Sequence, residues 1–411
     1  MKRYRRTKIS QYIVVSLLLA GVIGFGFGSW FLMTKVPFTD QFVLPWSAGR
    51  AWLLEAANPY GAEITGLAED TLQNSEYLAN LPEEQALLTP FINLIFYLPF
   101  SLIPYELSRV LWMLFLGLSI VLLVLLSFQL SEWKIHFLKK TGLILFSLIW
   151  IPGFSAIITG QLSPIIILLL FLGVYLVLRG QDTAAGFILA ATSGSFIFTG
   201  LCLILILSFG IIRKRWSIIT AYLSGLGFLI IISLLLLPSW PRDWIALLIE
   251  NYTNADFIET PLMALAAFLP GIEQFLSIFL HGLFAFFYVS LIFTLREKNE
   301  RILIWNSLAA LVISHLVNVQ GSIYYLFLLF PAMFLVFRFL NERWGMVGQA
   351  FSWVFILLIG LVPWLGRRSE LLYFDLLSQP FLLIGLPFIV ILGMIWIRWW
   401  ALRIPKLPFD S

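Results

Sequence analysis

Apolar runs of 15 to 24 residues recur from one end of the chain to the other, separated by short polar breaks. Within each run the apolar residues are continuous rather than alternating. A helix rising about 1.5 Å per residue needs roughly 20 such residues to cross the hydrocarbon core, so the pattern predicts membrane-spanning helices, whereas a barrel would require alternation. The first run, about Tyr12 to Met33, is too long for a cleaved leader and predicts a retained helix. Further spans are expected at about 107–130, 141–158, 163–179, 184–198, 200–212, 217–237, 272–294, 302–316, 323–338, 347–364 and 380–397. The expectation is therefore an all-α polytopic transmembrane bundle of about 12 spans, with a range of 10–13, forming one integral membrane domain over residues 1–411.

One segment interrupts this rhythm. Residues 35–106 form a first outer loop, and loops of that length in a compact protein carry function or disorder. Its last part, LTPFINLIFYLPFSLIP (88–104), contains Pro90, Pro99 and Pro104 and is short for a span. It predicts a helix lying at the interface rather than a crossing.

Composition narrows the class. With 60% hydrophobic and 12% charged residues, a soluble multidomain chain is excluded. The formal net charge of +4 does not point to nucleic acid, because the charges sort by side. If 88–104 does not cross, twenty of the 26 Lys and Arg are cytoplasmic, including Lys2–Lys8, Lys134, Lys139, Lys140, Arg213–Arg215, Arg338 and Arg343. Six lie outside: Lys35, Arg50, Arg109, Arg242, Arg367 and Arg368. A crossing at 88–104 would invert most clusters. The positive-inside rule therefore places both termini in the cytoplasm of a plasma or inner membrane protein and makes the outer face the working face. Cys202 is the only cysteine and forms no internal disulfide. No Gly-rich phosphate loop or zinc-spaced Cys/His cluster occurs, so neither a metal nor another resident cofactor is indicated, and a metal site of outer-loop carboxylates stays open as the alternative.

Chemistry is expected in VPFTDQFVLPWSAGRAWLLEAANPY (Val36–Tyr60), where Asp40 follows the first membrane exit. This stretch resembles the first-loop signature of glycosyltransferase family 87, an Asp opening an Ala-x-Arg-Ala-x-Leu-Leu helix that an Asn-Pro-Tyr closes. FINLIFYLPFSLIPYELSRVLWMLF is similar to the next block, a surface helix, a Leu-Pro turn and a Leu-x-Arg-x-x-Trp span. GQLSPIIILLLFLGVYLVLRG, opened by Gly160 and Gln161, is similar to a Gly-Gln-x-x segment. The resemblance is collinear over residues 30–340, which makes 107–340 a family-like core and 341–411 two further spans with a cytoplasmic tail. It implies a GT-C-like helical bundle and transfer of a hexose, mannose in the best-understood branch, from a polyprenyl-phosphate donor. The partners implied are membrane lipids, the polyprenyl-phosphate sugar and a glycolipid or glycan acceptor.

Within that resemblance Asp40 is the base of an inverting transfer. The chain departs from the family pattern at Leu88-Thr89-Pro90, which stands for Tyr-Pro-Pro, and at Phe196-Ile197, which stands for Lys-Pro. It departs again at the Tyr324/Tyr325 element, which stands for a His-containing one. Substrate contacts are expected from Arg50, Tyr60, Arg109, Gln161, Glu259, His315, Asn318, Gln320 and Tyr324. Alternatives stay open: Asp40 as an N-cap for the helix from Gln41, Arg109 paired with Glu106, and Arg50 as a snorkelling cation. For the whole chain, the alternatives are a flippase of lipid-linked sugars or a catalytically inactive relative.

Overall fold

A computed structural model describes residues 21, 24–82, 87–254, 260–297, 300–317, 323–365 and 381–399. Among the described residues the structure is all-α apart from one two-residue parallel ladder, and the chain divides into two compact units. The first comprises the described residues up to Thr89 together with Leu94–Leu118 and Ile157–Gln161. The second holds Pro90–Asn93, Ser119–Ala156 and the described residues from Leu162 onward.

In the first unit a helix over residues 24–35 (α1) ends before β1 (Phe38–Thr39), which pairs with β2 (Ala79–Asn80). Between the strands lie α2 (Val43–Glu55) and α3 (Glu63–Gln73). The expected surface helix over 88–104 is instead two single turns, α4 (Phe91–Leu94) and α5 (Leu98–Ser101), and neither could cross a bilayer. Pro99 occupies the first turn of α5, where its missing N–H costs nothing. The long helix α6 (Tyr105–Ser131) follows.

Beyond it, α7 (Phe137–Ile149) and α8 (Ile151–Thr159) are bent by 52° at Trp150. The second unit continues with α9 (Ser163–Leu178), α10 (Asp182–Ala191), α11 (Phe196–Ile212), α12 (Trp216–Leu236) and α13 (Trp240–Asn254). Then come α14 (Pro261–Ala266), α15 (Glu273–Thr294), α16 (Glu300–Val317), a 3-10 segment Ile323–Leu329 and α17 (Phe330–Leu365). The last described helix is α18 (Leu386–Ile397), entered through the π-turn Phe381–Gly385.

Among the described residues, five helical stretches are long and apolar enough to cross a membrane, and the bent α7–α8 pair makes a sixth if it counts as one span. The twelve expected spans resolve differently for a definable reason. Several of them fold as apolar helices of only 10–17 residues, and the glycines with positive φ, Gly160 (77°), Gly180 (74°) and Gly345 (54°), stand between expected spans. So 163–179 becomes a helix of 16 residues and 184–198 one of only 10, about 15 Å long. The expected spans 323–338 and 347–364 form one continuous element that kinks at Gly345.

The second unit is packed on small residues and aromatic stacks. A Cβ on Gly186 of α10 would stand 2.6 Å from the Ile218 carbonyl and 2.7 Å from Ala221 Cβ of α12, so these backbones touch only because that side chain is missing. Arg215 Nε donates to Asp182 Oδ2 at 2.9 Å and ties the ends of the same two helices. Phe128, Phe334, Phe330 and Trp150 form a run of stacked rings with centroids 4.6–5.8 Å apart. His281 is a satisfied packing residue, its ring bonded to Thr260 Oγ1 at 3.1 Å and to the Ser277 carbonyl at 2.8 Å.

Gly186→Val should therefore cost at least about 2 kcal/mol through overpacking. Gly227→Ala on α12, where a Cβ meets nothing within 4 Å, should be neutral or stabilise by up to about 1 kcal/mol. Thermal unfolding of both variants in detergent measures the difference.

Candidate functional site

The first unit is organised around a carboxylate with no contact to solvent. Asp40 leaves β1 with its backbone N–H on the Asn80 carbonyl at 2.8 Å, and the next residue, Gln41, donates to the Thr159 carbonyl at 2.8 Å. The ladder and the end of α8 thus fix the chain on both sides of the Asp40 side chain. Its Oδ1 accepts the Phe42 backbone N–H at 2.7 Å. Phe42 is the N-cap of α2, so the carboxylate sits at the positive end of that helix. The sequence allowed for a capping role on a helix starting at Gln41; the helix starts at Val43, and Asp40 serves the turn that leads into it.

Oδ2 faces α6. It accepts from Arg109 Nε at 3.0 Å and from the Tyr105 hydroxyl. Tyr105, Arg109 and Trp112 recur at helical spacing on one face of α6, and all three are buried. Arg109 turns its Nη2 to the Ile158 carbonyl in the last turn of α8, a backbone acceptor that the helix itself leaves free. The guanidinium also lies over the rings of Phe38 and Phe42, 5.6 and 5.7 Å from their centroids. Both Asp40 and Arg109 are 0% exposed. The remaining nitrogen, Nη1, is buried and has no hydrogen-bond partner among the described residues.

Gly160 makes this closeness possible. Its φ of 77° excludes most side chains, and a Cβ there would lie 2.8 Å from Phe42 Cβ and 3.3 Å from Arg109 Cζ. Its carbonyl accepts Trp112 Nε1 at 2.9 Å. Trp112 in turn stacks on Tyr97 at 4.6 Å and packs against Phe42 and Phe100 at 5.3 and 5.0 Å, which closes an aromatic wall around the ion pair. Burial, with the adjacent negative charge of Asp40 second, pushes the Tyr97 phenol above its ordinary range. Tyr77, its ring tilted against Tyr105, is pushed up to about 12 by burial first and by Glu106 second. Its hydroxyl donates to the Glu106 carbonyl at 3.0 Å. Both phenols remain protonated donors at neutral pH.

The structure brings some expected residues to this cluster and not others. Asp40 and Arg109 bond directly, and Arg109 does not pair with the exposed Glu106. Asp40 is enclosed by these rings and donors. Arg50 is half-buried in the same unit, donating to the Ser101 carbonyl at 3.3 Å and lying over Trp46 at 5.4 Å. Tyr60 is buried, with its hydroxyl on the Thr89 carbonyl at 3.0 Å. Gln161 follows Gly160 and is half-buried. His315, buried on α16, and Tyr324, half-buried in the 3-10 segment, belong to the second unit. Glu259, Asn318 and Gln320 lie outside the described residues. Tyr105 was missed, although its i,i+4 spacing to Arg109 was a usable signal. Among the described residues no group of three or more His, Cys, Asp or Glu stands together as a metal site.

A family model described as glycosyltransferase family 87 matches residues 88–318, more than half of the chain. The match takes in Tyr105, Arg109, Trp112 and Gly160 and begins after Asp40. No curated protein and no solved structure matches the chain.

Removing either partner of a fully buried pair strands the other's charge, which typically costs about 3–5 kcal/mol. Asp40→Asn and Arg109→Gln should each destabilise on that scale, and the double variant should cost clearly less than the sum. A double-mutant cycle from denaturant unfolding in detergent measures the coupling.

Proposed function

The chain belongs to glycosyltransferase family 87 and is a membrane glycosyltransferase, and from that premise we propose that it transfers a hexose from a polyprenyl-phosphate donor to a hydroxyl of a lipid or glycan acceptor. Mannose is the sugar that the family resemblance favours. Supporting this reading is a place in the first unit where a carboxylate, a guanidinium and a phenol meet: Asp40, Arg109 and Tyr105. In the proposed reaction the acceptor oxygen bonds to the anomeric carbon on the face opposite the phosphate. Its proton passes to Asp40, and the bonding electrons of the breaking C–O bond go to the phosphate oxygen. Inversion follows from that single displacement.

A leaving phosphate needs positive charge more than it needs a proton. Phe196 and Ile197, where the family pattern has Lys-Pro, offer none, so the reading gives that task to Arg109. Its Nη1 is the donor left over in the resting cluster. A phosphate that took Nη1 and then Nε would release Oδ2 of Asp40 for the acceptor proton. The lipid-phosphate sugar is a substrate in this scheme, and no resident cofactor is called for. The bias of basic residues supports an outward-facing site in a plasma or inner membrane with cytoplasmic termini.

The complete burial of Asp40, with both oxygens engaged, favours a second reading. In it the cluster is a structural clasp and the chain is an inactive relative or uses another base. Asp40→Asn separates the two. With membrane-extracted enzyme and a synthetic polyprenyl-phosphate sugar, transfer per folded molecule should fall by roughly a thousandfold below the variant's melting midpoint. Tyr105→Phe, which keeps the ion pair, should stay within about tenfold. Unchanged transfer by folded Asp40→Asn would establish the clasp reading instead.

A further inference from the structure

A second polar centre lies wholly within the second unit, far along the sequence from Asp40. The end of α6, the start of α7, the end of α9 and the kink of α17 enclose a groove of about 1420 Å³. Two left-handed backbone turns shape its walls: Glu132, with φ 51°, just after α6, and Gly345, with φ 54°, where α17 breaks. A non-glycine residue in that conformation is held by its surroundings and is a common mark of a functional site.

The groove is lined by Lys134, Lys139, Lys140, Arg179 and Arg338, against the carboxylates Glu132 and Glu342. Both carboxylates are committed to Arg338, whose Nη1 and Nε donate to them at 2.9 and 2.8 Å. Arg179 rests on Tyr175, and Lys140 lies 5.3 Å from the centroid of Phe128. Lys134 and Lys139 have no carboxylate partner among the described residues. Five cations and two carboxylates line the groove, a net of three positive charges, and among the described residues Lys134, Lys139, Lys140 and Arg179 form no ion pair.

An adjoining cleft of about 600 Å³ shares Lys139, Met346 and Gln349 with the groove. Its other walls are Leu138, Gly142, Ala350 and Trp353, almost wholly apolar. Leu138 and Met346 are 73% and 86% exposed, and a Cβ on Gly142 would meet nothing within 4 Å. A basic chamber opening into an apolar slot is complementary to a molecule with an anionic head and a hydrocarbon chain. A soluble anion would leave the slot unused, and a neutral lipid would leave the groove's net positive charge unmatched.

We propose that the groove and cleft together bind one anionic phospholipid, its phosphate among Lys134, Lys139, Lys140 and Arg179 and one acyl chain along Leu138, Gly142 and Trp353. This is a structural lipid site, independent of the transfer chemistry assigned to Asp40. The sorting of basic residues puts it on the cytoplasmic leaflet.

The test uses the full chain purified in detergent and native mass spectrometry, titrating phosphatidylglycerol, phosphatidylcholine and inorganic pyrophosphate separately. Phosphatidylglycerol should be retained in preference to phosphatidylcholine. The triple change Lys134→Gln, Lys139→Gln and Lys140→Gln should weaken it roughly a hundredfold, on the scale of about a fivefold loss per surface cation. Lys35→Gln, outside the groove, should leave it unchanged. Gly142→Leu, which fills the slot, should weaken phosphatidylglycerol and leave pyrophosphate untouched. Should the triple variant melt below the wild type, the single changes Lys134→Gln and Lys139→Gln carry the comparison. Equal retention of both lipids, insensitivity to these substitutions, or tight binding of pyrophosphate alone would each overturn the proposal.

Discussion

An aspartate and an arginine held entirely out of water are the constraint on which the first unit depends. Desolvating two such charges costs several kcal/mol each, and their attraction repays it only when the remaining donors and acceptors are also met. Almost every other contact in the cluster answers that demand. Oδ1 goes to the turn before α2, and Oδ2 is shared by Tyr105 and Arg109. The guanidinium supplies the end of α8 with a donor. One salt bridge thereby joins segments 69 positions apart, and one of its members reaches a third segment 49 positions further along.

The aromatic wall and Gly160 follow from the same demand. A buried pair stays strong only while water is kept from it, and Phe42, Tyr97, Phe100 and Trp112 do so with flat faces that also accommodate the cation. Closing the wall requires the α8–α9 turn to approach within van der Waals contact of Phe42 and Arg109. A side chain there would collide with one or the other. The Gly-Gln step, first notable only as part of a family-like pattern, thus has a steric reason.

Much of this grouping was legible beforehand from topology. Counting charges and spans puts the stretch after Asp40, the start of α6 and the step at Gly160 on one side of the membrane, and the first unit gathers all three. The pairing itself was not legible. Arg109 had a nearer acidic neighbour in Glu106, and only the fold turns Glu106 outward while Arg109 points to β1. Tyr105 fell before the expected start of its helix at 107, so its spacing to Arg109 went unread. The burial of Asp40 was also beyond the sequence, since an acidic side chain in a polar loop carries no mark of enclosure. The count of spans was not legible either, because among the described residues several apolar runs fold as helices of only 10–17 residues and two expected spans join in one element that kinks at Gly345.

The cluster must also be able to open if Asp40 is to accept a proton. Separating the pair with nothing in exchange would cost about 3–5 kcal/mol, enough to hold the open form far below one molecule in a hundred. A phosphate changes the balance, because each charge-assisted bond it makes to the guanidinium is worth about 1.5–3 kcal/mol. Two such bonds, one of them to the idle Nη1, replace most of what Nε and Oδ2 give up. The phenol of Tyr105 can then follow the carboxylate and keep it hydrogen-bonded. The same enclosure that makes Asp40 inert in the resting cluster would couple its release to the arrival of the group it must help to displace, so that no free base faces water in the absence of donor.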